Sequence, residues 1–170
     1  MTRSAPVARL LLALTLLVLP SHGLGGSSPA DDVGGHRWSW PVPAGAIARP
    51  FVAPATPYGA GHRGVDLAAP AGTEVRSPES GVVWFAGVVV DRPVISIRHA
   101  DGLLSSFEPV DPAVATGDPV GRGQVIGTLV PGHCAAGCLH LGARIDGAYV
   151  NPLLFLGGLP RSVLLPVRRG

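Results

Sequence analysis

An all-β fold, a β-sandwich or barrel-like core, is the class this sequence predicts. Three observations carry it. Short runs of β-branched and aromatic residues recur along the chain, 24 glycines and 18 prolines punctuate them, and no segment shows helical amphipathic spacing. Short strands with frequent turn residues are the signature of sandwiches and barrels.

The elements follow in order. The folded part opens around Trp38-Ser39-Trp40-Pro41-Val42. Residues 81–90 form a β-branched and aromatic run, and residues 94–99 form a second. Asp101-Gly102 then offers a tight turn into residues 103–107. Gly121-Arg122-Gly123 precedes a strand at 124–129, and a cysteine-bounded loop precedes one at 139–145. The aromatics Trp38, Trp40, Trp84, Phe85 and Phe107 are read as core, with the wall of a peptide groove as the alternative.

The two ends lie outside this pattern. Arg3 and Arg9 begin a segment whose residues 10–19 are almost unbroken apolar and stop at Pro20. That run is short for a bilayer span and suits a secretory signal peptide. The expected organisation is a signal peptide and leader over 1–30, a linker over 31–39, one domain over 40–156, and a tail over 157–170. A secreted, extracytoplasmic location follows, with no stable membrane span after signal cleavage. Arg3 and Arg9 account for the formal charge of +2. The remaining arginines and acids balance, so no basic stripe is left for nucleic acid.

Cys134 and Cys138 are the two cysteines of the chain. In an oxidising compartment such neighbours are expected to pair, and the short loop they close runs directly into His140.

The candidate chemistry lies in two segments. Gly64 and Val65 make a helix unfavourable between His62 and Asp66, so His62 is placed in a loop, Gly64 where the backbone turns, and Asp66 at the start of a strand. Further on, period-two alternation puts Cys138, His140, Gly142 and Arg144 on one strand face and Leu139, Leu141, Ala143 and Ile145 on the other, in the core. His62, Asp66 and His140 together make a His₂Asp set, whose nitrogen and carboxylate donors suit zinc. Spacing alone leaves a second reading open: a surface His62, an Asp66 closing a turn, and a His140 hydrogen-bonded in place.

The motifs as a set resemble a known family. Gly61-His62-Arg63-Gly64-Val65-Asp66-Leu67-Ala68-Ala69-Pro70-Ala71-Gly72-Thr73 is similar to the first signature of the lysostaphin-type (LytM-type) zinc metallopeptidases. Gly81-Val82-Val83, His99 with Asp101-Gly102, Val120-Gly121-Arg122-Gly123-Gln124-Val125-Ile126-Gly127, Leu139-His140 and Val150-Asn151-Pro152-Leu153 follow in that family's order. The resemblance implies an antiparallel β-sandwich or barrel-like fold with a surface groove, and one Zn²⁺ held by His62, Asp66 and His140. It also implies hydrolysis of peptide bonds in bacterial peptidoglycan cross-links, and a secreted or cell-wall-associated location. Peptidoglycan peptides are then the expected partners.

Two positions depart from the pattern. Cys138 stands where the family carries a first, assisting histidine, and Pro109 stands where a second assisting histidine follows an aromatic residue. His133 in the cysteine-bounded loop and Glu108 are the residues of this chain that would take over proton transfer. His99 matches a position that is not a ligand and is read as structural. The alternative to an enzyme is a catalytically degenerate zinc-binding domain that binds cell wall or regulates another wall hydrolase.

Overall fold

Eleven strands and one single-turn helix make up the part of the chain that a computed structural model describes, residues 38–43, 46–56 and 58–157. The expected signal peptide, most of the linker and the tail beyond residue 157 lie outside the described residues. Every strand pairing is antiparallel. Among the described residues no helix is long and apolar enough to cross a membrane.

The larger sheet holds eight strands. It runs from β1 (Ile47–Arg49) through β2 (Gly64–Ala68), β10 (Cys138–Ile145), β6 (Leu104–Glu108), β5 (Arg92–His99) and β4 (Gly81–Val89) to β8 (Pro119–Val120), with β11 (Ala148–Val150) also paired to β10. The smaller sheet has three strands, β3 (Glu74–Arg76), β9 (Val125–Leu129) and β7 (Val110–Pro112). Pro109, after a cis bond from Glu108, sits where the chain leaves β6 in one sheet and enters β7 in the other. Helix α1 (Leu153–Leu156) is one turn long and ends on Gly157 in the left-handed region, where glycine meets no Cβ penalty.

One face of the large sheet supplies the core. Val65 and Leu67 of β2, Leu139, Leu141 and Ala143 of β10, Phe107 of β6, and Ile95 and Ile97 of β5 are each essentially sealed from solvent. Val75, Val110, Ile126 and Leu129 of the small sheet join the same cluster. Burying such side chains is worth roughly 1.5–3 kcal/mol each. Alternation then forces the intervening residues of β2, β10 and β6 onto the other face, and that face holds the site.

The expected alternation of β10 holds from Cys138 to Arg144, with one exception at its end. Ile145 is 39% exposed, because the strand has reached the turn at Asp146 and Gly147, both with positive φ. Trp38 and Phe107 are core as expected. Trp84 and Phe85 are not: they are 53% and 37% exposed. A register shift between Val83 and Phe85 breaks the alternation of β4 there, as an extra residue in one strand does.

Candidate metal centre

Ladder register places Asp66, His140 and Glu108 in one row across three neighbouring strands. Asp66 of β2 is the direct partner of His140 of β10, and His140 is the direct partner of Glu108 of β6. Directly opposed residues project from the same face. Asp66 therefore lies in the middle of β2 rather than at its start. His62 lies just before that strand, bridged to Val52 by two backbone hydrogen bonds. Its ring turns back over Asp66.

The donor atoms converge tightly. Asp66 Oδ1 is 3.0 Å from His62 Nε2, 2.8 Å from His140 Nδ1 and 3.1 Å from His133 Nε2. His62 Nε2 and His140 Nδ1 are 3.1 Å apart. One ligand atom from each of the four residues lies within 4.8 Å of every other. His133, a candidate for proton transfer from sequence, is brought to the cluster by the fold. The Cys134–Cys138 disulfide closes that loop, and Gly137, at φ 85°, passes so near the Ala69 carbonyl that a Cβ there would lie 2.7 Å from it.

The chemistry of the donors fits a cation. His62 Nδ1–H donates to the Pro50 carbonyl at 2.7 Å, which leaves an unshared pair on Nε2 of the neutral ring. That pair faces a carboxylate oxygen at 3.0 Å, also an acceptor. Two acceptors at hydrogen-bond distance need a proton or a metal between them. A backbone carbonyl fixing the far nitrogen of a ligating histidine is the usual second shell of a zinc site. His62, Asp66 and His140 would hold the ion.

Charge and burial act together here. Burial alone would raise the Asp66 carboxyl, but the hydrogen bond from His140 and the positive potential of His133, His140 and His62 outweigh it and hold it below the ordinary carboxylate value. Burial pushes the His140 imidazole below its ordinary value, and the Asp66 carboxylate offsets only part of that. Both shifts favour the deprotonated forms that bind metal.

Gly64 opens β2 without a turn. A Cβ at this position would sit 2.4 Å from the Leu141 carbonyl oxygen and 2.5 Å from His140 Nε2. The residue is small because the His140 ring lies against it, which corrects the turn expected from sequence. His99 is structural as expected. It is buried, its Nδ1–H donates to the Ser80 carbonyl at 3.0 Å, and its Nε2 accepts from Ser105 Oγ at 2.8 Å.

The comparisons with known proteins agree with this geometry. The model of Peptidase family M23 matches residues 60–152. The chain belongs to that family. The chain is 42% identical over 168 residues to the protein Rv2891 of Mycobacterium tuberculosis, covering 93% of this chain and 66% of that one. It is 36% identical over 94 residues to the DD-carboxypeptidase/endopeptidase Mpg of Neisseria meningitidis, covering 54% of this chain and 22% of Mpg. A zinc containing peptidase from Vibrio cholerae superposes with a TM-score of 0.54 at 25% identity, covering 68% and 39% of the two chains. The catalytic domain of lysostaphin from Staphylococcus simulans shares the fold, with a TM-score of 0.58 at 23% identity, covering 69% of this chain and 99% of that domain. The chain spans about two thirds of Rv2891 and about a fifth of Mpg.

Beside the M23 donor cluster runs a groove of about 560 Å³. Its lining includes His140 and Glu108, the aromatic residues Trp84, Phe85 and Tyr149, and the arginines Arg63 and Arg144. The two guanidinium groups lie 5.7 and 5.1 Å from the Tyr149 ring centroid, and Arg98 stacks on Trp84 at 3.5 Å. Residue type ranked core above groove wall for Trp84 and Phe85, since it says nothing of a register shift. Sequence patterning missed Arg92, whose Nη1 donates to His133 Nδ1 at 3.3 Å from 41 positions away.

Proposed function

We propose that this chain is an extracytoplasmic zinc metalloendopeptidase that hydrolyses peptide bonds in bacterial peptidoglycan cross-links. The observation that carries the reading is the convergence of His62 Nε2, His140 Nδ1 and Asp66 Oδ1 within 3.1 Å of one another, beside a groove of about 560 Å³ that His140 helps to line. Membership of the M23 family supports hydrolysis. The name of Mpg supports a cell-wall peptide as substrate, and the lipoprotein YgeR of Escherichia coli, 30% identical over 145 residues, supports a place outside the cytoplasm.

When bound, zinc supplies a Lewis acid for the scissile carbonyl and lowers the pKa of a water to about 7. The chain's own residues do the rest. His62, Asp66 and His140 bind the ion, and the Pro50 carbonyl fixes His62 in the tautomer that offers Nε2. Trp84, Phe85 and Tyr149 offer flat apolar surfaces along the groove. His133 Nε2 and the Glu108 carboxylate handle the proton: the first adjoins Asp66, and the second shares the row of His140. General acid–base help of this kind is worth about 10²–10⁴ in rate.

The deciding experiment measures new peptide ends released from purified cross-linked peptidoglycan by the zinc-loaded protein. His140→Ala is the control and is expected to lose the metal and the release together. No release across several wall chemistries, from protein shown to hold zinc, would overturn the enzyme reading in favour of a domain that binds the wall.

A further inference from the structure

His133 is held from two sides, and the two restraints have different chemistry. On one side the Cys134–Cys138 disulfide ties its loop to the first residue of β10. On the other, Arg92 at the start of β5 reaches across to the ring and donates from Nη1 to Nδ1 at 3.3 Å. Arg92 is itself aimed by a fork to the Asp91 carboxylate, with Nε to Oδ1 at 2.9 Å and Nη2 to Oδ2 at 3.3 Å. This pairing uses Nε and Nη2, and leaves Nη1 for His133.

The direction of that last hydrogen bond is fixed by chemistry. A guanidinium carries only donors, so His133 Nδ1 is the acceptor and carries no proton. In the neutral ring the proton then resides on Nε2. Nε2 is the atom that faces the metal cluster, 3.1 Å from Asp66 Oδ1. A histidine that ligates through Nε2 needs the opposite tautomer, with the proton on Nδ1 and an acceptor beyond it. His62 shows that arrangement, with the Pro50 carbonyl behind its Nδ1. His133 has a cation there instead.

We infer that Arg92 is a positioning residue which, with the Cys134–Cys138 disulfide, presents His133 to the metal pocket as an Nε2–H hydrogen-bond donor and keeps it from becoming a fourth protein ligand. The site then retains three protein donors, with a position open as in catalytic rather than structural zinc. A substrate oxygen entering the pocket meets a proton on His133 Nε2. The imidazole lost from position 138 is replaced from the loop that Cys138 itself anchors. The inference deepens the hydrolase reading and rests on it for its kinetic consequences, but the tautomer is observable without any turnover.

The test is two-bond ¹H–¹⁵N correlation of the ring nitrogens in the zinc-loaded, ¹⁵N-histidine-labelled chain. In the wild type, His133 is expected to show a protonated Nε2 and an unprotonated Nδ1. Arg92→Ala is expected to mix the two tautomers, and Arg92→Lys, which still donates, to restore the first. In peptide release, His133→Ala is expected to lower kcat by about 10²–10⁴, with bound zinc unchanged at one per chain. Arg92→Ala is expected to lower kcat by about tenfold at unchanged KM, and to add nothing in the His133→Ala background, as for residues acting as one unit. A wild-type His133 protonated on Nδ1, or with Nε2 shifted as a metal ligand, overturns the inference even if the peptidase works. The expected tautomer in a protein that cleaves no wall peptide leaves the positioning correct and overturns the hydrolase reading.

Discussion

The His140 imidazole rests against Gly64: a carbon added at Gly64 would lie 2.5 Å from His140 Nε2 and 2.4 Å from the Leu141 carbonyl oxygen. One of those obstacles is backbone, which cannot rotate away. Gly64→Ala is therefore expected to lower stability by about 1–3 kcal/mol, as overpacking does, and to displace His140. Denaturant unfolding and zinc stoichiometry measured together check it. Full zinc content at unchanged stability would mean that the two strands separate more easily than their packing indicates.

Asp66 is 2% exposed, and its charge is what three imidazoles converge on. Asp66→Asn keeps the shape and removes that charge. Zinc affinity, measured by competition with a chelator, is expected to fall by more than the roughly 10–100-fold typical of losing an outer-shell partner. His62→Ala and His140→Ala are each expected to abolish tight binding.

Acid is expected to destabilise the metal-free protein in two stages. Folding lowers the pKa of His140, so its contribution is complete above its unfolded value of about 6.5 and is lost as pH falls toward the folded value. Asp66 is also lowered, so its contribution is present above about 3.9 and disappears below that as the carboxylate is forced to protonate. In both cases the unfolded chain binds more protons, so stability rises with pH. Unfolding midpoints between pH 4 and 8 check the sign; greater stability at pH 5 than at pH 7 would reverse it.

Reduction of the disulfide, or replacement of both cysteines by serine, is expected to cost about 2 kcal/mol for so short a loop on the chain-entropy account. The larger effect should be local. Hydrogen exchange around His133 and Gly137 is expected to speed up while the β2–β10 ladder keeps its protection. Uniform loss of protection would show that the loop supports the whole domain.

Two aromatic residues should separate binding from folding. Phe107 is fully buried, and Phe107→Ala is expected to cost about 3–5 kcal/mol. Trp84 is half exposed on the groove wall. Trp84→Ala is expected to leave stability within about 0.5 kcal/mol while raising KM for wall peptides several-fold.

Much of this was legible in the sequence, and the remainder has identifiable causes. Period two read off residues 138–144 gave the faces of β10 correctly, because every second residue is a large aliphatic side chain or alanine. The motif around residues 62–66 located two of the converging donors, His62 and Asp66, and the segment at 138–140 located a third, His140. Strands β1, β3, β7, β8 and β11 are two or three residues long, too short to show any period. For Trp84 and Phe85 the core outranks the groove wall on sequence, because hydrophobic type alone cannot register a shifted ladder. The Arg92–His133 contact left no local trace, since it joins a hairpin to a loop on separate parts of the chain.

Asp66 and His140 face each other as ladder partners, and their neighbours Leu67 and Leu139 do the same one step along. Sliding β10 by a single residue would bring a leucine to the carboxylate and drive His140 into the oily interior. Metal capture at these donors would thus double as proofreading: only a chain whose two strands have zipped in phase can assemble them, so an ion bound here would certify alignment made elsewhere in the sheet.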